Sequence, residues 1–161
     1  MNNSLLCYSS AITASEVPDE VSLCYEISGC KHRCRGCHSP HLWKKIGTPL
    51  KSVVRTTLRQ YADYITCICF MGGEWEPEQI NQIASWAKSE YPHLKLCIYS
   101  GGNEDCRKLF PEFDYIKFGS YKENLGGLDS PSTNQKMYYK NISGYTDITY
   151  KFQIRRKSEV Q

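Results

Sequence analysis

Hydrophobic and polar positions follow a strand–helix–strand pattern in the first half of the chain. Residues 21–28 alternate between apolar and polar side chains, which indicates a half-buried strand. Residues 49–64 carry apolar side chains at helical spacing. Residues 65–71 are apolar almost throughout, as in a parallel strand that is covered on both faces. The pattern therefore predicts a β-α-β unit.

The same alternation continues to about residue 119. A helix, a strand, a short helix and a strand are predicted in that order, at 76–90, 94–100, 104–109 and 115–119. Residues 123–136 are rich in Gly, Asp, Ser, Pro and Asn and are predicted to form a loop. Residues 147–154 favour β structure. Because strands and helices alternate with short connections, we expect an α/β fold with parallel crossovers in one domain spanning residues 1–161.

Composition excludes some classes of partner. The chain is 40% hydrophobic and 23% charged, with a net charge of +3. This charge is too small for the dense basic patch of a nucleic-acid-binding protein, so we expect no nucleic-acid partner. No apolar run approaches the roughly 20 residues of a membrane span, so we expect no membrane association.

The nine cysteines do not resemble a secreted disulfide framework. Their number is odd, we recognise no secretory signal, and several lie in apolar, strand-like segments. A cytoplasmic, reducing location is therefore expected. Four of them are predicted to be small buried residues, namely Cys24, Cys67, Cys69 and Cys97.

Three other cysteines form a compact group directly after the first predicted strand. Cys30, Cys34 and Cys37 fall within eight residues with C-x3-C-x2-C spacing. Packing alone gives no reason to cluster three thiols, so the spacing indicates a soft metal or disulfides. A zinc site would need a fourth ligand, such as His38 or a remote cysteine. Three cysteines on a cubane iron–sulfur cluster would instead leave one iron open to a substrate or cofactor.

A second distinctive segment, Gly72-Gly73-Glu74, follows the strand predicted at 65–71. Two glycines allow the backbone to approach a ligand closely, and the carboxylate can accept a hydrogen bond from an ammonium group. An ordinary strand-to-helix turn would have the same composition. Both special segments follow parallel strands, at the edge of an α/β sheet where ligands bind.

Together, the cysteine spacing and the Gly-Gly-Glu segment resemble the radical S-adenosylmethionine (SAM) superfamily. The resemblance implies an α/β partial (β/α) barrel of the radical SAM type, with mostly parallel strands. About four to six strands fit, since 161 residues are too few for a complete eight-unit barrel of roughly 250. It also implies two cofactors, a 4Fe-4S cluster with one open iron and SAM bound to that iron. The implied cluster ligands are Cys30, Cys34 and Cys37, and the implied SAM-binding residues are Gly36, Cys37, His38, Gly72, Gly73 and Glu74.

Residues 29–43 and 128–136 are similar to the activating enzymes of glycyl radical enzymes, in particular those of anaerobic ribonucleoside-triphosphate reductases. This implies an oxidoreductase that cleaves SAM reductively and generates a glycyl radical on the large reductase subunit. An electron donor such as flavodoxin would be a second partner. Two alternatives stay open: an activator of another glycyl radical enzyme, such as pyruvate formate-lyase, and a non-catalytic zinc-binding interaction module.

Overall fold

One mixed sheet runs through the computed structural model, which describes residues 3–159. Eight strands lie in this part of the chain: β1 (Leu6–Thr13), β2 (Ser22–Ser28), β3 (Thr48–Pro49), β4 (Cys67–Met71), β5 (Lys95–Tyr99), β6 (Tyr115–Phe118), β7 (Lys136–Asn141) and β8 (Gly144–Asp147). The α-helices of the same part are α1 (Leu50–Tyr61), α2 (Pro77–Glu90) and α3 (Tyr150–Glu159). Short 3₁₀ helices occupy Pro40–Trp43, Ala62–Tyr64 and Glu104–Leu109.

The strand order is β3-β1-β2-β4-β5-β6-β7-β8. The four central strands, β2, β4, β5 and β6, are parallel, because each connection between them crosses over through a helix or a 3₁₀ helix. The prediction of mostly parallel strands is wrong for the whole sheet: four of the seven pairings among residues 3–159 are antiparallel. No helix lies between β1 and β2, between β6 and β7, or between β7 and β8, so these neighbours pair in opposite directions, and β3 pairs with β1 in the same way.

The helices and strands predicted between residues 21 and 119 are confirmed, and the structure adds two strands that were not predicted, β1 and β3. The helix predicted at 49–64 is α1 followed by a 3₁₀ turn, and the loop predicted at 123–136 ends where β7 begins. The strand predicted at 147–154 is wrong, because α3 begins at Tyr150. The Asp147 carboxylate accepts a hydrogen bond from the Thr149 amide at 2.9 Å, an Asx turn that directs the chain out of β8. This local bond overrides the β propensity of the segment.

Buried cysteines line one face of the sheet. Cys24, Cys69 and Cys97 are register partners on β2, β4 and β5, and Cys67 lies on the same face. All four are buried, as predicted. Segments from both ends of the described chain cover this face, with Val17 and Ile148 in the same apolar cluster. No disulfide joins any two cysteines within residues 3–159.

The opposite face of the sheet packs against α1 and α2 through side chains such as Tyr25, Phe70, Val54 and Ile80. Among the helices of the described residues, none is long and apolar enough to cross a bilayer. Because β2, β4, β5 and β6 are parallel, the segments that follow them meet at one edge of the sheet. The cysteine loop and Gly72-Gly73-Glu74 both begin at this edge.

Candidate functional site

The backbone holds the two ends of the cysteine loop together. The amides of Gly29 and Cys30 both donate to the carbonyl oxygen of Leu42, at 2.7 and 3.0 Å. Gly29 has a φ of +89°, which glycine adopts without strain, so the chain turns sharply out of β2. The 3₁₀ helix Pro40–Trp43 thereby closes the loop against the end of the strand.

The three cysteines of the loop are half-buried and free of disulfides. The amide of Cys37 donates to the carbonyl oxygen of Cys34 at 3.1 Å, and the amide of Ser39 donates to the Cys37 sulfur at 3.4 Å. Burial raises the pKa of the Cys30 thiol, and the charge of Glu74 adds to the effect. Ligation by thiolate therefore requires proton release when a metal binds.

The donor set of the loop is three free thiols. Within residues 3–159, no group of three or more His, Cys, Asp or Glu side chains is arranged to hold one metal ion. This gives no support to a Cys3His zinc site, in which all four ligands converge on one centre. In a cubane cluster each cysteine binds a different iron, so the three sulfurs need not converge.

Beside the loop lies an open cleft of about 190 Å³. Four of the predicted site residues line it: Cys30, Cys37, Gly72 and Glu74. Its walls include the apolar or aromatic side chains of Met71, Trp43, Trp75 and Tyr99. The cleft therefore brings two of the three predicted cluster ligands next to the Gly-Gly-Glu segment, although 35 residues or more separate them in sequence.

Other predicted residues lie outside the cleft lining. Gly73 has a φ of +88°, and an ideal Cβ on it would lie 2.8 Å from Cδ1 of Ile80, so this glycine allows α2 to pack closely. The His38 ring lies 5.1 Å from that of Tyr121. Gly36 lies beside Glu123. Their assignment to a SAM pocket stays a prediction.

Glu74 has one occupied and one free carboxylate oxygen. Its Oε1 accepts from the Gly101 amide at 3.0 Å and lies 2.6 Å from Nε2 of His32. Its Oε2 is buried and has no hydrogen-bond partner within the described part of the chain. Because a buried acceptor without a donor is costly, this oxygen fits a ligand that supplies an N–H group. The methionine end of SAM carries such a group.

Lys117 is a cleft residue that the sequence pattern does not predict. It lies on β6, only 9% exposed, and its ammonium donates to the Gly119 carbonyl oxygen at 3.0 Å. Burial lowers its pKa to about 8. A single lysine within the otherwise apolar Tyr115–Phe118 segment is the signal that could have indicated it. His32 and Gly101 were also missed as site residues, because their contacts with Glu74 are long-range.

Comparisons with known proteins identify a relative and a family for the chain. The chain is 27% identical over 126 residues to the anaerobic ribonucleoside-triphosphate reductase-activating protein of Enterobacteria phage T4, covering 70% of this chain and 80% of that protein. No solved structure matches the chain significantly. The sequence profile of the family described as "4Fe-4S single cluster domain" matches residues 21–121, which include the cysteine loop and the Gly-Gly-Glu segment. Since this match covers more than half of the sequence, the chain belongs to the 4Fe-4S single cluster domain family.

Proposed function

We propose that the protein is a radical SAM activating enzyme that generates a glycyl radical on an anaerobic ribonucleoside-triphosphate reductase. One observation carries the proposal: Glu74, whose buried Oε2 has no hydrogen-bond partner in the described residues, lines the same cleft as Cys30 and Cys37. The iron–sulfur family and the name of the phage T4 relative support it. We place the protein in the cytoplasm, where thiols stay reduced.

In this proposal Cys30, Cys34 and Cys37 hold a 4Fe-4S cluster, and its fourth iron has no protein ligand. A bound and reduced cluster would supply the one electron needed to cleave SAM to methionine and a 5'-deoxyadenosyl radical, and this radical would take the hydrogen atom from a glycine of the reductase. The chain itself would bind and orient SAM: Glu74 Oε2 would accept from its amino group, and the ammonium of Lys117, which also lines the cleft, would attract its carboxylate.

The walls of the cleft suit the remaining parts of SAM. Trp43, Trp75, Met71 and Tyr99 offer apolar and aromatic surface for the adenosine. The parallel strands β2, β4, β5 and β6 form the core of what we propose to be a partial (β/α) barrel. The cleft is open to solvent, which suits a glycine that arrives on another protein.

Charge segregation supports an acidic electron donor such as flavodoxin. Residues 27–62 contain eight basic residues and no acidic one, leaving 12 basic and all 17 acidic residues for the rest of the chain. These eight side chains are exposed: Lys31, Arg33, Arg35, Lys44, Lys45, Lys51, Arg55 and Arg59. Five of them belong to the cysteine loop or follow it directly, so an acidic protein that docks on them comes close to the cluster.

Anaerobic reconstitution tests the function. Protein loaded with iron and sulfide is reduced with dithionite and mixed with SAM, and we expect about four irons per chain and 5'-deoxyadenosine as product. Addition of the reductase should give a glycyl radical signal in electron paramagnetic resonance (EPR) spectra. Absence of 5'-deoxyadenosine would refute SAM cleavage. One zinc without sulfide would establish the zinc module, and a radical on pyruvate formate-lyase alone would change the partner.

A further inference from the structure

His32 connects the cysteine loop to the carboxylate of the Gly-Gly-Glu segment. It lies between Cys30 and Cys34 in sequence, and its Nε2 lies 2.6 Å from Oε1 of Glu74. The Glu74 side chain is only 10% exposed, whereas that of His32 is 33% exposed. The contact therefore joins a loop side chain to a carboxylate that is nearly buried.

The chain provides space for this contact at Gly101. An ideal Cβ on Gly101 would lie 2.6 Å from Cδ2 of His32, so the imidazole ring lies directly against the backbone at the end of β5. Gly101 also donates its amide to the same Oε1 of Glu74. Three loops, following β2, β4 and β5, thus meet at one carboxylate oxygen.

The two carboxylate oxygens of Glu74 therefore have different roles: Oε1 is held by the protein, and Oε2 has no donor in the described residues. A carboxylate only accepts hydrogen bonds, so the Nε2 of His32 carries the hydrogen. With His32 and Gly101 both directed at Oε1, the side chain cannot rotate freely, and Oε2 stays buried and without a donor in the described residues. A purely structural ion pair gives no reason to leave the second oxygen in this state.

We propose that His32 is a positioning residue for SAM. It holds Oε1 of Glu74 in place so that Oε2 can accept a hydrogen bond from the amino group of the cofactor. The position of Oε2 therefore depends on the conformation of the cysteine loop. This inference rests on the proposed function. It assigns to a residue of the cluster loop a role in cofactor affinity, separate from iron ligation.

The test measures SAM affinity of the reconstituted protein by isothermal titration calorimetry, alongside iron and sulfide content. We expect His32→Ala to keep its iron and to raise the Kd for SAM roughly tenfold, the effect of losing one hydrogen bond to a charged group. KM should rise with it, whereas kcat at saturating SAM should change little. His32→Gln retains an N–H donor and should recover most of the affinity. His41→Ala is the matched control, since His41 is exposed in the same loop and contacts Tyr8.

Two further variants separate positioning from loop stability. Gly101→Ala leaves His32 in the sequence but displaces its ring, and Gly101 has no positive φ that would strain an alanine. We expect it to weaken SAM binding as His32→Ala does. In Glu74→Gln protein, adding His32→Ala should cause little further loss, because the two residues act through one contact.

Unchanged SAM affinity in His32→Ala, or equal losses in His41→Ala, would overturn the inference. So would loss of iron in both His32→Ala and His32→Gln, because His32 would then serve the cluster rather than Glu74. Failure of the proposed function looks different: the unmodified, reconstituted protein would not bind or cleave SAM. The EPR spectrum of the reduced cluster, recorded with and without SAM, distinguishes the two cases.

Discussion

The side chain of Glu123 occupies the space next to Gly36, where any other residue would place its Cβ. An ideal Cβ on Gly36 would lie 2.9 Å from Cδ of Glu123, and Gly36 has a φ of +73°. Arg35 is also within 3.7 Å of the Glu123 carboxylate. The loop after β6 therefore packs onto the last turn of the cysteine loop, immediately before Cys37.

Gly36→Ala should accordingly weaken the cysteine loop. The left-handed backbone costs a non-glycine residue about 1–2 kcal/mol, and the contact with Glu123 adds to this. We expect lower iron content after reconstitution and faster iron loss to a chelator. The double variant Gly36→Ala/Glu123→Ala should recover the part of the loss that the contact causes. Equal iron retention in Gly36→Ala and the unmodified protein would contradict this account.

Cys34→Ala should abolish cluster binding, because a cluster with two protein ligands is left with two open irons. Cys97→Ala serves as its control: that thiol is fully buried in β5, so its loss should lower the free energy of unfolding without removing iron. Iron and sulfide per chain and the EPR signal provide the measurement. A full, active cluster in Cys34→Ala would refute the ligand assignment.

Much of the fold could be predicted from the sequence, because the local hydrophobic pattern of these segments agrees with their tertiary structure. The apolar run Cys67–Met71 and the helical periodicity of Leu50–Tyr61 each specify one element. The cysteine spacing and the Gly-Gly-Glu segment follow parallel strands, so their meeting at one edge follows from topology.

The other parts of the fold and of the candidate site could not be predicted, because they depend on long-range contacts that leave no local pattern in the sequence. β7 pairs with β6, and β8 pairs with β7, in antiparallel returns, and these short, partly exposed segments lack a clear period. The contact between His32 and Glu74 spans 42 positions. Lys117 is buried on β6, between β5 and β7, and no local signal fixes the register of these strands.

Lys117 should make stability depend on pH in a defined window. Its pKa is about 8 in the folded protein, against an ordinary value of 10.5. Below pH 8 both states are protonated and burial of the charge costs up to about 3 kcal/mol. Between these pKa values the unfolded state binds more protons, so stability rises with pH.

We therefore expect Lys117→Met to stabilise the iron-free protein at pH 7, with a gain that shrinks as the pH approaches 10.5. Urea unfolding at several pH values measures this. Lys95→Met provides the contrast: Lys95 donates to the buried Glu20 carboxylate at 2.5 Å, and this bond raises its pKa. Its loss should destabilise the protein at neutral pH. A pH-independent gain in Lys117→Met would contradict the assignment.

Reversal of two charges beside the cysteine loop should slow electron delivery. Lys45 lies next to Gly29, which precedes the first cysteine, and Lys44 is exposed beside it. We expect Lys44→Glu/Lys45→Glu to lower the rate of cluster reduction by reduced flavodoxin several-fold at low salt, and added salt to reduce the difference. Stopped-flow absorbance of the cluster follows the reaction.

The control for this experiment is Arg156→Glu/Lys157→Glu, which makes the same change in net charge on α3. If the α3 variant slows reduction equally, the effect comes from overall charge and not from a docking surface. If neither variant nor salt alters the rate, the basic residues of 27–62 have no part in recognising the donor.

The row of buried cysteines also affects how the protein acquires iron. In the unfolded chain, nine thiols are equivalent ligands, and iron could bind many wrong combinations of them. Folding removes six thiols from this competition because it buries them: Cys7, Cys24, Cys67, Cys69, Cys97 and Cys106. The pKa of each is raised, chiefly by the hydrogen bond with Cys69 in Cys24 and by burial in the other five. The three thiols of the loop stay partly exposed. Iron added after folding should therefore bind selectively, whereas iron present during refolding should give misligated protein.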